Sequence, residues 1–261
     1  MTRFTRRSRE ALTSAEQKRD FNREHFAVAA ARYDQATIAM SLGRDRAWKR
    51  LLVGMLPERP HPVCLDLACG TGDICLQLAR RYPGGRFIGL DLTAAMLDLA
   101  RQRGIPTGLH YLQGDMHDLP LTTASCDLVT GSYALRNAPN LERALAEIAR
   151  VLRPGGQAVF LDFAKAVTPA GQRCQYRLLR SWCGMWGRLL SGSWEVHGYI
   201  ADSLRSFPTS GELDMMMRNH GLEPLARRRL FGGMLQLLQV RRIDKIPQVK
   251  AGELSASQAG R

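Results

Sequence analysis

The sequence predicts an α/β fold built on a doubly wound, mostly parallel sheet. Short apolar stretches alternate with helical ones along the middle of the chain, and this alternation is typical of strands joined by helical crossovers. A glycine turn, DLACGTGD, directly follows the first predicted strand, and aspartates end the next two strands. Ligands of such sheets bind at the carboxyl ends of the strands. These observations together predict one domain with a ligand site at that edge of the sheet.

Residues 1–57 come before the predicted sheet. Residues 1–25 are polar and charged and lack apolar periodicity, which predicts a basic flexible arm. Residues 26–57 have helical apolar spacing, and the proline-rich stretch PERPHP ends it. One face of these helices consists of four apolar residues: Trp48, Leu51, Leu52 and Met55. We interpret residues 26–57 as an N-terminal helical lid.

Residues 58–243 carry the sheet. The predicted strands are VCLDLA, RFIGLDL, LHYLQGDM, CDLVTGSYA and QAVFLDFA, and helical stretches such as TAAMLDLARQRG and NLERALAEIARVL follow them. A helical insertion at about residues 167–207 precedes the last strands. The polar residues 244–261 predict a disordered tail.

Composition and charge limit the functional classes. Of the 261 residues, 45% are hydrophobic, and no apolar run approaches the ~20 residues that span a bilayer. We expect a cytoplasmic protein, because the N-terminus lacks the apolar stretch of a signal peptide. The six cysteines never form a Cys-x-x-Cys pair, which argues against a metal site and favours buried thiols.

The 37 basic and 24 acidic residues give a formal net charge of +13. Residues 167–190 contain four arginines and no acid, and residues 226–261 contain eight basic residues against two acidic ones. Such a surface attracts polyanions. Because no nucleic-acid-binding signature accompanies the charge, we expect peripheral contact with an anionic membrane, at its inner face, and no nucleic acid.

The glycine turn indicates which class of ligand binds. A dinucleotide site would have G-x-G-x-x-G, but Gly70 and Gly72 are followed by Asp73 and Ile74. Carboxylates at Asp66 and Asp73 suit a cationic or zwitterionic ligand better than a diphosphate. A short Gly-x-Gly loop can also serve only to reverse the chain, so the turn alone leaves both interpretations open.

Two further aspartates support a nucleoside ligand. Asp91 closes the second strand about 20 residues after the turn, where an acid can accept hydrogen bonds from both ribose hydroxyls. Asp115 ends the third strand, where it can accept from an adenine amine while Met116 covers the ring. Each aspartate alone could be a helix cap, but caps do not explain acids at successive strand ends.

These motifs carry a resemblance to known enzymes. DLACGTGD, GLDLTAAML, GDMHDLPL and VLRPGG resemble the class I S-adenosylmethionine-dependent methyltransferases. FAVAAARYDQATIAMSLGRDRAWKR, SYALRNAPNLERALAEIARVLRPGG and GYIADSLRSFP are similar to the ubiquinone/menaquinone-biosynthesis C-methyltransferase family. The similarity extends from Phe26 to Arg242. It implies a seven-stranded Rossmann-like sheet and S-adenosyl-L-methionine as cofactor.

The resemblance also implies site residues. Cofactor contacts are implied at Thr71, Asp91, Asp115, Met116 and Ser132. Asp66, Gly70 and Gly72 are implied to hold the methionine portion, and Tyr33 to close over it. Arg136 and Asn137, in ALRN, match the pair that faces a quinol in the family.

His197 departs from the family pattern, because it replaces an aromatic hydroxyl that often precedes the SLRSFP block. It is a candidate base, whereas Arg136 keeps its proton and can stabilise a phenolate. The alternatives are a packing role for His197, a surface salt bridge for Arg136 and a structural or rim role for His117.

The predicted insertion contains an amphipathic, arginine-rich helix, QRCQYRLLRSWCGMWGRLL. Its apolar stripe, which includes Trp182 and Trp186, can lie at a membrane interface or form a pocket for a quinone tail. The same stripe can pack against the protein's own sheet, or against a second copy of the chain in a homodimer.

The resemblance implies C-methylation of a polyprenyl quinol in menaquinone or ubiquinone biosynthesis. One alternative is S-adenosylmethionine-dependent O- or N-methylation, or another cofactor-dependent modification, of a different quinone or small natural product. A second is a non-enzymatic subunit that binds cofactor or quinone. A third, an RNA methyltransferase, would need an Asn/Asp-Pro-Pro-aromatic motif, where this chain has GSYALRN.

Overall fold

The computed structural model describes residues 14–191 and 194–243; of residues 191–198 it describes no side chain. In this part of the chain the helices are α1 (Ala15–Ala29), α2 (Tyr33–Met40), α3 (Asp45–Gly54), α4 (Asp73–Arg81), α5 (Ala94–Gln102), α6 (Leu141–Val151), α7 (Pro169–Ser191), α8 (Trp194–Ser206) and α9 (Ser210–Asn219). The strands are β1 (Val63–Leu67), β2 (Arg86–Asp91), β3 (Leu109–Gln113), β4 (Cys126–Ser132), β5 (Leu152–Phe163), β6 (Leu222–Leu230) and β7 (Leu235–Arg242).

The strands described form one seven-stranded sheet in the order β3-β2-β1-β4-β5-β7-β6. The first five strands run parallel, and β7 runs antiparallel to both β5 and β6. The predicted doubly wound, mostly parallel α/β fold is therefore confirmed. Leu67 of β1 lies opposite Leu90 of β2 and Gly131 of β4. The carboxyl ends of these three strands thus meet at one edge, where the glycine turn begins.

Both faces of the sheet are buried, as a doubly wound fold requires. In β1, Leu65 and Leu67 belong to the apolar cluster on one face, whereas Cys64 belongs to the cluster on the other. β5 alternates in the same way, with Phe160 in the first cluster and Val159 in the second. The central strands are therefore held on both sides, which keeps the carboxyl edge in place.

The structure differs from the expected flexible arm at residues 15–25, which are helical in α1; residues 1–13 lie outside the described part. Ser14 caps this helix by accepting a hydrogen bond from the Gln17 amide, 3.1 Å. The buried residues of α1 include Lys18, Asn22 and His25. Apolar periodicity did not reveal this helix, because its buried face is largely polar.

The helices α7 and α8 lie between β5 and β6, where the helical insertion was predicted. They pack on each other, and α7 also packs against α2. The Trp182 indole NH donates to the Met40 carbonyl, 3.0 Å, joining α7 to α2. In the described ranges, none of the helices combines the length and the hydropathy that crossing a bilayer requires. The predicted tail, residues 244–261, falls outside them.

Candidate active site

The glycine turn connects β1 to α4 through left-handed backbone. Gly70 has φ +53° and Gly72 has φ +82°, a region that favours glycine. A Cβ on Gly72 would also lie 2.3 Å from the Tyr111 hydroxyl oxygen. The Gly70 amide donates to the Asp91 carboxylate, 2.9 Å. The turn is therefore shaped by close packing and fastened to the acid that ends β2.

A cavity with two aspartates in its lining, which we call the polar cavity, opens at this edge of the sheet. Six of the predicted cofactor contacts line it: Tyr33, Gly70, Asp91, Asp115, Met116 and Ser132. Among the described residues, Asp66, Thr71 and Gly72 do not belong to the lining. Asp66 lies below the turn and accepts hydrogen bonds from the Thr130 hydroxyl, 2.8 Å, and the Cys75 thiol, 3.5 Å. Burial raises the pKa of Asp66 to about 7.

The Asp91 carboxylate is rigidly oriented in the polar cavity. Its second oxygen accepts from the Thr93 amide, 2.8 Å, so both oxygens are tied to backbone NH groups. Burial raises the pKa of this carboxyl above its ordinary value, although those hydrogen bonds oppose the rise. A carboxylate oxygen has more than one lone pair, so Asp91 can still accept from a ligand hydroxyl.

Asp115 is held by His117. One Asp115 oxygen accepts from the His117 amide, 2.9 Å, and lies 2.8 Å from His117 Nδ1. The Asn140 amide donates to His117 Nε2, 3.1 Å, so the ring proton resides on Nδ1 and points at Asp115. Burial raises the pKa of Asp115, but the His117 hydrogen bonds and nearby positive charge, including that of Arg19, together outweigh it, so the net pKa is lowered. His117 thus keeps Asp115 an acceptor.

An apolar cavity adjoins the polar one and shares four lining residues with it: Phe26, Tyr33, Tyr133 and Asn137. Aromatic and aliphatic side chains from the lid, α7, α8 and the β6–β7 connection form most of its wall, among them Trp48, Leu179, Trp182, Ile200 and Phe231. The Asn137 amide nitrogen donates to the Tyr133 carbonyl, 2.9 Å. The Asn137 amide oxygen is buried and has no hydrogen-bond partner within the described residues.

Arg136 lines the apolar cavity, and only 4% of its surface is exposed. Its Nε is 3.5 Å from an Asp162 oxygen, and its amide donates to the other, 2.9 Å. The guanidinium also donates to the Ser203 hydroxyl and lies over the Phe163 ring, 5.2 Å from its centroid. Burial raises the pKa of Asp162, and the Arg136 charge opposes that rise. The surface salt-bridge alternative for Arg136 is excluded by this burial.

Helix α1 holds the loop that carries Arg136 and Asn137. The Lys18 ammonium donates to the carbonyls of Arg136, 3.2 Å, and Ala138, 2.7 Å. The Asn22 amide donates to the carbonyl between them, that of Asn137, 2.7 Å. Three successive carbonyls are therefore satisfied by one helix.

Lys18 makes the stability of the protein depend on pH. Burial and the nearby Arg136 charge lower the pKa of Lys18 from 10.5 to about 8. Between these values the unfolded chain binds the proton more tightly, so stability rises with pH. We expect the unfolding free energy of the wild type, relative to Lys18→Met, to rise by roughly 3 kcal/mol from pH 8 to 10.5, at about 1.4 kcal/mol per pKa unit.

Chemical unfolding of both proteins across this pH range measures that difference. All other groups titrate in both proteins and cancel, and the lost hydrogen bonds add only a constant offset. A difference that stays constant from pH 8 to 10.5 would show that Lys18 is not desolvated in the folded protein.

A polar network ties the lid to the glycine turn. The Thr71 hydroxyl donates to Asp34 of α2, 2.8 Å, and Arg103 donates to the Thr71 hydroxyl, 3.0 Å. Arg103 also pairs with Asp73, 2.5 Å, which pairs with Lys49 of α3, 2.9 Å. Thr71 thus lies at the junction of lid and turn, outside the polar cavity.

Several residues of the site were not predicted from the sequence. His25 and Tyr199 line the apolar cavity, and the Tyr199 hydroxyl donates to Asn22, 2.8 Å. The Tyr133 hydroxyl donates to Asp45, 2.9 Å, and Asp162 pairs with Arg136. The positive φ of Tyr133, +58°, has no sequence signal, whereas Asp162 could have been noticed as an acid at the end of an apolar strand. His197 lies on α8, and its side chain is outside the described part.

Comparison with known proteins identifies the family. A family model described as the ubiE/COQ5 methyltransferase family matches residues 12–239. The chain belongs to this family. It is 37% identical over 222 residues to the ubiquinone/menaquinone biosynthesis C-methyltransferase UbiE of Acidiphilium cryptum (strain JF-5). The aligned region covers 84% of this chain and 89% of that relative. It is 30% identical over 234 residues to the demethylmenaquinone methyltransferase of Desulfitobacterium hafniense (strain Y51), covering 88% and 92%.

Solved structures show the same fold. A chain from the complex between the Haloferax volcanii Trm112 methyltransferase activator and a methyltransferase superposes with a TM-score of 0.63 and 20% identity, covering 84% of this chain and 97% of that chain. A SAM-dependent methyltransferase from Aquifex aeolicus gives 0.56 and 12%, covering 75% and 89%. The enzyme is a methyltransferase of the ubiE/COQ5 family, and its family implies S-adenosylmethionine as methyl donor. The predicted family resemblance is confirmed.

Proposed function

We propose that this enzyme methylates a ring carbon of a polyprenyl quinol, a demethylmenaquinol or a ubiquinol precursor, with S-adenosylmethionine as donor. The observation that carries the proposal is the shared wall between a cavity lined by two aspartates and an apolar cavity whose lining includes a buried arginine. Such a pair of cavities can hold a charged nucleoside and an apolar aromatic side by side. The two relatives, a ubiquinone/menaquinone biosynthesis C-methyltransferase and a demethylmenaquinone methyltransferase, support the same reaction.

The residues of the polar cavity fit the cofactor. Asp91 has lone pairs left for the ribose hydroxyls, and Asp115, held as an acceptor, suits the adenine amine. Met116 and Ser132 complete this lining, and Tyr33 covers it from the lid. Asp66, Thr71 and Gly72 would act indirectly, by keeping the turn around Gly70 in shape. The unsatisfied Asn137 oxygen lies in the shared wall, where a cationic sulfonium or a quinol hydroxyl would satisfy it.

The apolar cavity supplies what ring methylation needs. The bound cofactor supplies an electrophilic methyl group in line with a departing sulfur. A ring carbon becomes nucleophilic when the neighbouring phenol, of ordinary pKa about 10, loses its proton. Arg136 stabilises the phenolate in a site from which water is largely excluded. The side chains of Trp48 and Phe231 would hold the ring against the shared wall, so that position and charge both favour transfer.

A methyl-transfer assay tests the proposed function. Purified enzyme, S-adenosylmethionine with an isotopically labelled methyl group, and a chemically reduced demethylmenaquinol or demethylated benzoquinol are incubated without oxygen. Mass spectrometry should find the label on a ring carbon of one of the two quinols. Label on an oxygen instead would support the alternative O-methylation, and transfer to neither quinol would refute the proposal.

The exposed face of α7 supports contact with an anionic membrane. Its stripe is divided: Leu179, Trp182 and Cys183 line the apolar cavity, whereas Leu178, Met185 and Leu189 are exposed. Arg173, Arg177 and Arg188 are exposed on the same helix. Apolar side chains flanked by arginines suit an anionic bilayer surface. A lipid quinol there could enter the cavity beside α7.

We expect the enzyme to co-sediment with vesicles that contain anionic lipid, and less with neutral vesicles or at high salt. Replacing Leu178, Met185 and Leu189 by glutamine should abolish the binding, while the matched exposed variant Ile105→Gln should not. Equal binding to both vesicle types would exclude the electrostatic contribution. If instead the wild type forms a dimer in the absence of lipid and the triple variant does not, this face binds a second copy of the chain.

A further inference from the structure

His25 places an imidazole in the wall of the apolar cavity. It lies on α1, is only 7% exposed, and lines the cavity together with Arg136 and Asn137. Its ring is stacked on Phe21 at a centroid distance of 5.4 Å and lies 5.4 Å from the Tyr199 ring. The ring is thus held in a fixed place beside the space that the quinol would occupy.

The other titratable groups that line the cavity, among the described residues, keep their protons near neutral pH. Within the described residues these are Tyr33, Tyr133, Arg136, Cys183 and Tyr199. Burial raises the pKa of Tyr33, Tyr199 and Cys183 to about 12 each, and that of Tyr133 well above its ordinary value. These four groups stay protonated. A guanidinium does not lose its proton in a protein. An imidazole exchanges its proton close to neutral pH, and so is suited to general-base catalysis.

We propose that His25 is the general base that takes the phenolic proton of the quinol as its ring carbon is methylated. This inference rests on the proposed function and names the proton acceptor for it. Arg136 would stabilise the negative charge that remains on the phenol oxygen, while His25 holds the proton. The two residues lie far apart in the sequence, and both line this cavity.

The step balances. The quinol O–H bond breaks and its proton passes to an imidazole nitrogen, while the freed electron pair enters the ring. The ring carbon forms a C–C bond to the methyl group, and the electron pair of the S–C bond returns to sulfur. The methylated carbon then loses its hydrogen as a proton to water, and the electron pair of that C–H bond restores the aromatic ring with a negative ring oxygen. The imidazolium returns its own proton to that oxygen. The net products are the methylated quinol, a neutral thioether and one proton.

Two substitutions separate catalysis from packing. His25→Phe keeps an aromatic ring in the cluster of Phe21, Phe26 and Tyr199, whereas His25→Gln keeps hydrogen bonding; neither can act as a base. We expect both to lower kcat by about 100-fold or more, the usual range for loss of a general base. Cofactor affinity by calorimetry should match that of the wild type, which also reports that the variants are folded. A purely packing role predicts that His25→Phe remains active.

The pH profile and the acidity of the substrate provide the second readout. In the wild type, kcat should decrease as the pH is lowered below the pKa of the imidazole. This acidic limb of the pH profile should be absent in both variants. A quinol analogue with a more acidic, halogen-substituted phenol should restore part of the lost rate. His110→Gln, at an exposed histidine of β3 that lines neither cavity, is the matched control and should keep the limb. A retained limb in the His25 variants, or its loss in His110→Gln, would overturn the assignment. Wild-type enzyme that methylates no quinol would instead refute the proposed function.

Discussion

We expect Arg136→Lys to lower kcat by about 100- to 1000-fold, the range observed when one stabilising donor is removed from a developing oxyanion. Lysine keeps the charge, so the buried Asp162 carboxylate stays paired and the fold is retained. It lacks the planar guanidinium that lies on Phe163 and pairs with Asp162 at the same time. Steady-state kinetics with the demethylated quinol measure the loss. Cofactor affinity by calorimetry should be unchanged, because Arg136 lines only the apolar one of the two adjoining cavities.

Lysine is the informative substitution here. Alanine would leave Asp162 as an unpaired buried charge, which costs about 3–5 kcal/mol, and lost activity would be confounded with lost stability. Arg153→Lys is the matched control, because Arg153 pairs with the buried Asp127, 2.7 Å, away from both cavities. Weakened cofactor binding in Arg136→Lys, with normal turnover at saturation, would remove Arg136 from the substrate side.

The fold could be predicted from the sequence because its signals are local. Strands β1, β2 and β4 are apolar and short, and each is followed by a helix or a turn with a clear pattern. Helix α1 could not be predicted in this way. Its buried polar residues, Lys18 and Asn22, have partners more than a hundred residues away, in the loop after β4. Apolar periodicity shows which residues of a helix avoid water. It does not show that a polar residue of the helix donates to carbonyls in a distant part of the chain.

The candidate site was predictable where residues follow strands. Asp91 and Asp115 were identified by position alone, because the ends of parallel strands come together at one edge. The environment of Arg136 was not predictable. Asp162, Ser203 and Phe163 reach it from β5 and α8, and only the tertiary fold brings them together. His25 illustrates the same limit, since a histidine on a polar helix has no sequence feature that indicates a cavity.

The lid depends on ionic contacts as well as on apolar packing. Asp34 and Lys49 join it to the glycine turn through Thr71 and Asp73, and Lys49 also pairs with Asp45, 2.7 Å. Asp45 in turn accepts from Tyr133 in the shared wall. The contacts of helices α2 and α3 with the glycine turn, whose Gly70 amide donates to Asp91, therefore form one network with the contact between Asp45 and Tyr133 in the shared wall. The position of residues 26–57 on the glycine turn and the wall of the apolar cavity are therefore structurally coupled.

We expect Asp91→Ala to weaken cofactor affinity by at least about 100-fold. Hydrogen bonds to a charged group contribute about 1.5–3 kcal/mol each, and this carboxylate is placed to accept from two ribose hydroxyls. Calorimetry with S-adenosylmethionine and its demethylated product measures the change. The matched control is Asp98→Ala, an exposed aspartate on α5 that pairs with Arg101, 2.9 Å. Equal affinity in the two variants would exclude Asp91 from the cofactor site.

The pH dependence of binding separates a direct contact from a collapsed turn. Because burial raises the pKa of Asp91, its carboxylate becomes protonated at a higher pH than an exposed aspartate would. Wild-type affinity should therefore fall as the pH is lowered through that raised pKa, while the protein stays folded. Asp91→Ala should lack this fall and remain weak throughout. If Asp91 only holds the Gly70 turn, its protonated carboxyl can still accept from the Gly70 amide, so wild-type affinity should stay constant through that pKa while Asp91→Ala shows a changed thermal stability.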